Sequence, residues 1–492
     1  MGLGRRRLPP RRAGGDARMP RQHRFHPHLA RRGSAVGGYK MTKAFVRALA
    51  AIGALLLAAS PASAQQAVGA WNGRLTVGAM SLRIGVEVTR GADGTLSGTM
   101  SSPDQGAAGI PLSAVTLAGT HFSFEAPSIR GRYQAEWDAA QGGWAGTWTQ
   151  GQALPLVLRP GAVAAPARPQ APKPPFPYSE EEVAIDAAAG VRLACTFTRP
   201  RGTGPVPAVF LVSGSGPQDR DEALAGHRPF AVLADHLTRA GIAVLRCDDR
   251  GFDRSTGDFA TSVTQDYAAD AIAVLAWLRR QQGIGKVGLV GHSEGGVVGP
   301  MVAARDPKLA FLALLAAPGI PMADLLVAQA EAVARSIGMP AERAAQEGQV
   351  TRRVIEAVAG APSAEAARAA ASRTLAEAGA GSEAIANQSA MVATPWFRGI
   401  AAYDPRPALA ALRLPVLAIN GATDTQVLAG PNLAGIREAT RGNADVTIVE
   451  LPGLNHLLQT SASGAPTAYA ATEETMSPSA LNLIAEWILK RR

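Results

Sequence analysis

The chain has 492 residues, a length that allows two or three domains, each with its own hydrophobic core. Hydrophobic residues make up 47% and charged residues 18%, with 53 Gly and 35 Pro, which excludes disordered, collagenous and coiled-coil chains. The net charge of +10 lies entirely in residues 1–40, which hold ten Arg, one Lys and one Asp. The rest of the chain is balanced, so it offers no basic surface for nucleic acid.

Residues 41–64 predict a secretory signal peptide. Met41 is followed by two basic residues, an apolar run over residues 48–59, and a small-residue cleavage site before Gln65. We interpret residues 1–40 as an over-extended start or a long n-region. The apolar run is too short for a stable membrane anchor, and no Cys follows the cleavage site. We therefore expect a periplasmic or secreted protein with no stable membrane anchor after cleavage, and an uncleaved N-terminal anchor stays open.

Residues 66–160 predict a small antiparallel β domain. Short runs of alternating polarity recur about every ten residues between Gly-rich turns, which is typical of a barrel or a sandwich. The only His in this segment is His121, and no catalytic cluster is present. Its aromatic residues favour core packing over a binding face; they are Trp71, Phe122, Phe124, Tyr133, Trp137, Trp144 and Trp148.

Residues 161–178 are rich in Pro and Ala and predict a stiff, extended linker, which places the domain boundary there. In residues 179–492 the pattern changes to short apolar strands alternating with amphipathic helices, which predicts a parallel sheet covered on both faces. The predicted strands are residues 207–212, 242–247, 287–290 and 311–316, and the predicted helices are residues 229–240, 265–280 and 295–304.

A candidate nucleophile follows one of these strands. The sequence Gly291-His292-Ser293-Glu294-Gly295 leads directly into a helix, and a Ser on such a strand-to-helix turn has an exposed hydroxyl. The flanking Gly residues suit a strained backbone that packs closely. The motif is weak by itself, and its position between a strand and a helix is what favours a catalytic role.

A Ser nucleophile needs a base held by an acid. His456 is the only His after Ser293, so we predict it as the base. Asp424 follows an apolar strand, at the sheet edge where open α/β sheets build their sites, and we predict it as the acid. Asp404 is the alternative acid, and it has the simpler interpretation of a turn or helix cap.

An oxyanion hole requires two backbone N–H groups. We predict that Glu294, the residue after the nucleophile, provides one, and that Ser215 in the loop Ser213-Gly214-Ser215-Gly216-Pro217 provides the other. A phosphate-binding loop is the competing interpretation of this Gly-rich turn. No Gly-Lys-Ser/Thr sequence accompanies it, which disfavours that interpretation.

Three motifs together resemble one group of proteins. They are residues 214–221 (GSGPQDRD), 248–252 (DDRGF) and 291–296 (GHSEGG), followed by an acid and a base in the order Ser, Asp, His. The order resembles the α/β-hydrolase superfamily, and the motifs resemble bacterial secreted esterases of the esterase D type, often grouped with serine-aminopeptidase-like hydrolases. The resemblance implies a mostly parallel sheet flanked by helices. Asp253 departs from the Gly or Val that usually follows the Arg-Gly-aromatic turn of the second motif, which affects the loop shape and not the triad.

Residues 319–403 interrupt the sheet with an Ala-rich, helix-forming stretch. In this fold such an insert resembles a helical cap, which excludes water and shapes the acyl pocket. Trp396 and Phe397 are candidate substrate-binding residues, and anchoring of the cap to the core is the equally open interpretation.

Other polar residues have structural interpretations. Four charged side chains predict an ion-pair network that holds the oxyanion loop, and not a substrate-binding site. They are Asp219, Arg220, Asp221 and Arg250. His236 and His292 are interpreted as packing residues, whereas His227 is close enough in sequence to the oxyanion loop to reach the cleft. Cys195 and Cys247 are expected to be free, buried thiols, since two Cys exclude a disulfide framework. No metal site or cofactor is predicted.

The sequence therefore predicts a serine hydrolase that cleaves a small-molecule carboxylic ester through an acyl-enzyme, with activity that rises as His456 loses its proton. Two alternatives stay open. The same triad cleaves peptides or thioesters in other enzymes, or the chain is a surface-binding protein with a vestigial hydrolase domain.

Overall fold

The computed structural model describes residues 67–77, 80–105, 107–164, 166–202 and 204–491. The predicted signal peptide and the residues before it lie outside the described part. No helix in the described residues has the length and apolar character needed to cross a membrane.

The first part of the chain forms a closed antiparallel barrel, not a sandwich. Each strand pairs with the next, and the first pairs with the last at Trp71 opposite Pro160 and Asn72 opposite Arg159. The strands are β1 (Gly69–Val77), β2 (Met80–Arg90), β3 (Leu96–Ser102), β4 (Ala107–Ala118), β5 (His121–Ala126), β6 (Gly131–Asp138), β7 (Gly143–Gln150) and β8 (Gln152–Pro160).

Aromatic side chains fill the interior of this barrel. Phe122, Phe124, Tyr133, Trp144 and Trp148 are all at most 1% exposed. The Tyr133 hydroxyl donates hydrogen bonds to the carbonyls of Trp144 and Leu156, so the phenol is satisfied inside an apolar core. The aromatic residues at strand spacing therefore build the core of the barrel, as the alternation predicts.

The second part is an eight-stranded sheet whose order is β16-β15-β14-β13-β11-β12-β10-β9. Strands β11 to β16 are parallel, and the hairpin β9–β10 adds two antiparallel strands at one edge. The bounds are β9 (Tyr178–Ala188), β10 (Val191–Pro200), β11 (Val206–Val212), β12 (Ala243–Cys247), β13 (Ile284–His292), β14 (Leu312–Leu315), β15 (Val416–Gly421) and β16 (Val446–Leu451).

Helices cover both faces of this sheet. Along β11, Ala208 and Phe210 pack into one core, whereas Val209 and Leu211 pack into the other, because successive strand side chains point to opposite faces. One core is closed by α1 (Pro229–Arg239) and α11 (Pro478–Leu489), and the other by α2 (Thr264–Arg279), α3 (Gly295–Arg305) and α10 (Ala429–Ala439).

A helical insert lies between β14 and β15, where the sequence predicts a cap. Its helices are α4 (Met322–Ser336), α5 (Ala341–Ala359), α6 (Ala364–Glu377), α7 (Ser382–Val392) and α8 (Pro395–Ala401), and α9 (Arg406–Ala410) returns the chain to the sheet. The insert has its own small core, which includes Val358, Ala371 and Leu375. The cap is therefore a folded helical unit and not an extended loop.

The predicted linker has no helix or strand in its described residues before Tyr178, where β9 begins, but it is not a free spacer. Arg168 donates hydrogen bonds to the carbonyls of Ala225, Gly226, Ala470 and Thr472. These contacts attach the segment to two loops of the sheet domain.

The two cysteines form a disulfide, so the expectation of free thiols is wrong. Cys195 on β10 lies opposite Cys247 on β12, and their sulfur atoms are bonded. Both residues are buried, as expected, but the antiparallel register places them side by side. The spacing of 52 residues gave no indication of this, since the register between β10 and β12 is not readable from spacing alone.

Candidate active site

Ser293 occupies a sharp turn between β13 and α3. Its φ angle is +52°, a left-handed conformation that non-glycine residues rarely adopt outside functional sites. A Cβ atom at Gly291 would lie 2.1 Å from the carbonyl oxygen of Gly295, and one at Gly295 would lie 2.2 Å from that of Val212. Both glycines are therefore required by close backbone contacts, as in the nucleophile elbow that the motif predicts.

Asp424 and His456 meet beside this turn. Asp424 follows β15 and His456 follows β16, and the His456 Nδ1 atom is 2.8 Å from the Asp424 Oδ2 atom. The other Asp424 oxygen accepts hydrogen bonds from the backbone N–H groups of Gln426 and Val427. Since the carboxylate is held at both oxygens, it fixes the ring with Nδ1 as donor and leaves Nε2 free to act as a base.

The alternative acid takes no part in this arrangement. Asp404 is bound by the guanidinium and the backbone N–H of Arg406 at the start of α9. Its position is that of a turn and helix-cap residue, which is the simpler interpretation of its sequence context. The Ser293 hydroxyl makes no hydrogen bond to any described residue, and such contacts in enzymes often tighten only when substrate is bound.

The Gly-rich loop after β11 lies against the nucleophile. A Cβ atom at Gly214 would be 3.2 Å from the Cβ atom of Ser293, so the loop approaches the elbow closely. Within the part of the chain that the structure describes, the backbone N–H groups of Ser215 and Glu294 have no acceptor. The two predicted donors are thus available to an oxyanion beside Ser293.

The Glu294 side chain is buried and links the elbow to the cap. It accepts hydrogen bonds from Thr264 Oγ1 at 2.7 Å and from Trp396 Nε1 at 2.9 Å. Burial raises the pKa of Glu294 above its ordinary range, although these donors pull it back down. Trp396 therefore anchors the cap helix α8 to the residue after the nucleophile.

Phe397, the next residue, lines a cavity. It is 6% exposed and lines a cavity of about 850 Å³ between the cap helices and the Asp424 loop. The cavity lining is mainly apolar, and it includes Ala330, Val333, Val350 and Gln426. Of the two predicted substrate-binding residues, Phe397 thus lines a cavity and Trp396 makes a structural contact.

The charged residues near the oxyanion loop pair with one another. Arg220 binds Asp248 and Glu182, and Asp221 binds Arg228 and Arg246. These pairs hold the segment that follows the loop, as the sequence predicts.

Two charged residues beside this network, Arg250 and Asp249, make other contacts, and only for Arg250 does this differ from expectation. Arg250 pairs instead with Asp270 on α2, away from the loop. Asp249 accepts hydrogen bonds from Ser213 Oγ and from the backbone N–H of Gln218. Burial raises the pKa of Asp249 to about 8, so this acid is largely protonated near neutral pH.

Sequence reasoning missed the role of His292. Its Nδ1 atom is 2.7 Å from Glu222 Oε1 and its Nε2 atom is 3.0 Å from the His456 carbonyl oxygen. The available signal was a His inside the elbow together with a Glu directly after the GSGPQDRD motif. His227 does not reach the cleft, because its ring is buried against Thr475 and the Tyr469 carbonyl. No metal-binding group of three or more His, Cys, Asp or Glu occurs among the described residues.

Comparison with known proteins identifies the family. The profile of the X-Pro dipeptidyl-peptidase (S15) family matches residues 189–443, which is just over half of the chain. Esterase EstD of Thermotoga maritima is 25% identical over 318 residues, covering 64% of this chain and 69% of the relative.

Two solved structures are among those to which this chain is similar. The esterase Pf2001 of Pyrococcus furiosus has 15% identity and a TM-score of 0.42, covering 67% of this chain and 99% of that one. Est1E of Butyrivibrio proteoclasticus, with ferulic acid bound, has 15% identity and a TM-score of 0.37, covering 63% and 96%. The α/β-hydrolase assignment made from the motifs is confirmed by the family and the relative together. The chain belongs to the X-Pro dipeptidyl-peptidase (S15) family and is a hydrolase with the α/β-hydrolase fold.

Proposed function

We propose that the protein is a serine carboxylesterase in which Ser293 attacks the ester carbonyl. The observation that carries the proposal is the buried Asp424–His456 pair beside a serine on a left-handed turn. His456 takes the Ser293 proton as the carbonyl is attacked, and the N–H groups of Ser215 and Glu294 stabilise the oxyanion.

The reaction then proceeds in two halves. His456 returns the proton to the leaving alkoxide as the ester bond breaks, which leaves an acyl group on Ser293. Water, deprotonated by His456, attacks the acyl carbonyl, and the carboxylic acid leaves as Ser293 recovers its proton. Asp424 stabilises the imidazolium that forms twice in each cycle.

The state of Glu294 supports an ester over a peptide with a free N-terminus. A peptidase that recognises a free N-terminus needs a carboxylate that can bind the substrate amine. Glu294 is adjacent to the nucleophile, but its oxygens are already bound to Thr264 and Trp396. An ester substrate needs no such carboxylate.

A fluorophosphonate probe and a panel of nitrophenyl esters test the proposal. We expect labelling and turnover in the native protein and loss of both in Ser293→Ala. Ser336→Ala, at the end of cap helix α4, is the matched control and should behave as the native protein. Turnover of Ala-Pro-nitroanilide with none of the esters would instead favour a dipeptidyl-peptidase, the activity named by the family. Labelling that persists in Ser293→Ala would contradict the assignment of the nucleophile.

We also propose that the protein is periplasmic or secreted. The proposal is supported by the signal-peptide pattern at residues 41–64 and by the Cys195–Cys247 disulfide, since disulfides persist mainly in oxidising compartments. Fractionation of expressing cells tests it, together with N-terminal sequencing that should begin at Gln65. Recovery in the cytoplasm with residues 41–64 intact would contradict it.

A further inference from the structure

A second buried acid and imidazole lie behind the Ser293 site. Glu222 and His292 are 4% and 6% exposed, and neither belongs to the reaction steps described above. Glu222 has a φ angle of +53°, a backbone conformation that costs free energy in a non-glycine residue and is kept only where its surroundings impose it.

The hydrogen bonds of this pair join three separate segments. Glu222 Oε1 accepts from the Gly214 backbone N–H at 2.7 Å and from His292 Nδ1 at 2.7 Å. His292 Nε2 donates to the His456 carbonyl at 3.0 Å. One side-chain pair therefore bridges the oxyanion loop, the residue before the nucleophile and the backbone of the base.

The partners determine the protonation of the His292 ring. A carbonyl oxygen only accepts, so Nε2 carries a proton, and an ionised carboxylate only accepts, so Nδ1 carries one too. Burial would lower the pKa of His292, but the charge and hydrogen bond of Glu222 raise it above its ordinary value. The raised pKa favours an imidazolium, which donates from both nitrogens at once, to Glu222 and to the His456 carbonyl.

The positions of the rings show why this matters for the base. The centroids of the His292 and His456 rings are 4.8 Å apart, so the two side chains are in contact. Asp424 holds His456 through its side chain, whereas His292 holds it through its backbone. His456 is therefore held at two points, its ring by Asp424 and its backbone by His292.

We propose that His292 and Glu222 are positioning residues that set the distance between the oxyanion loop, Ser293 and His456. This inference rests on the proposed function, since it assigns these groups to the same reaction. Catalysis depends steeply on such distances, because misplacement by about 1 Å costs up to about a hundredfold in rate.

The test compares His292→Ala, Glu222→Ala, the double variant and Glu222→Gln with the native protein. Glutamine keeps the shape of Glu222 and an oxygen that can accept from both the Gly214 N–H and His292 Nδ1, so it removes only the negative charge. Active sites are counted by fluorophosphonate labelling, so that kcat refers to labelled Ser293 and not to total protein. His236→Ala, a partly buried His on α1, is the control for loss of an imidazole.

We expect kcat per labelled site to fall at least about tenfold in both alanine variants, with KM within about twofold. Glu222→Gln should stay within about threefold of the native kcat. If His292→Ala fails to fold because it leaves a buried carboxylate unpaired, the double variant removes both groups and gives the same readout.

Two results would overturn the inference. One is a kcat per labelled site within twofold of native in both His292→Ala and the double variant, which would show a purely structural role. The other is a Glu222→Gln variant as slow as Glu222→Ala, because the shape of the side chain would then not restore the rate. A native protein without labelling or turnover would instead remove the proposed function, and this inference with it.

Discussion

The residues of the site owe their positions to strand ends. Ser293, Asp424 and His456 each follow a parallel strand of one sheet, so their side chains meet at a single edge although 131 and 32 residues separate them. This is why their order along the chain, each after a strand, predicts that the three side chains lie at one edge of the sheet. The Glu222–His292 pair was not predictable in the same way, because hydrogen bonds to backbone groups leave no pattern in the sequence.

Asp424 and Asp404 form a matched pair for testing the acid. Asp424→Asn should lower kcat by about 10⁴-fold, because the amide favours the wrong tautomer of His456. Asp404→Asn should leave kcat within about twofold, since Arg406 is the only hydrogen-bond partner of the Asp404 side chain among the described residues. Initial rates with a nitrophenyl ester measure both, and equal losses in the two variants would contradict the assignment.

We predict that Asp249 makes the stability of the folded protein depend on pH. Its pKa is raised to about 8, so the folded state retains a proton that the unfolded chain releases near pH 4. Its contribution to stability is therefore largest at low pH and is lost as the pH rises to 8. We expect Asp249→Asn to melt at the native temperature near pH 4 and a few degrees above the native temperature by pH 9. Ser213→Ala, which removes one hydrogen bond to Asp249 but keeps the acid, is the control. Melting curves from pH 4 to 9 measure the difference, and a gain at low pH only would show the opposite sign.

At the scale of elements, the alternation of strands and helices predicted the sheet and its covering helices. The edge hairpin β9–β10 was not predicted, because β9 has three consecutive acids, Glu180, Glu181 and Glu182, and lacks the apolar run of a buried strand. The pairing of β10 with its other neighbour, β12, places Cys195 against Cys247. The disulfide was therefore missed together with the hairpin that contains Cys195.

The cap cavity predicts selectivity for acyl length. Ala330 on α4 lines it, so Ala330→Trp should fill part of the volume and reduce kcat/KM for a decanoate ester at least about tenfold more than for an acetate ester. The matched control is Ala369→Trp on α6, which is exposed and outside the lining. Equal losses on both esters would show that the cavity does not hold the acyl chain.

At the scale of the whole molecule, period-two alternation predicted the β domain but not its closure. Alternation fixes which side chains face inward, and the same pattern suits a sandwich and a barrel. Closure depends on the pairing of β1 with β8 at Trp71 and Asn72, a contact between the two ends of the segment. Such long-range pairing is not visible in local sequence.

We predict that the linker stabilises the sheet domain through the hydrogen bonds of Arg168. Arg168→Ala removes four hydrogen bonds to carbonyls of the sheet domain, and a hydrogen bond from a charged donor contributes about 2 kcal/mol. We expect the melting temperature to fall by several degrees. Arg132→Ala, at an exposed barrel position, is the control and should melt as native does. A fall of the same size in both variants would mean that Arg168 is not a specific attachment.

The disulfide bears on how the enzyme should be assayed. Cys247 ends β12, and the next two residues, Asp248 and Asp249, hold Arg220 and the loop that carries Ser215. A thiol reductant, a routine additive in protein purification, would act on the support of the oxyanion loop once it reduced this buried disulfide, and it would leave the serine nucleophile chemically untouched. Once the disulfide is reduced, rates measured with dithiothreitol describe an active site that lacks this support. The redox state of the sample should therefore be given with every kinetic constant.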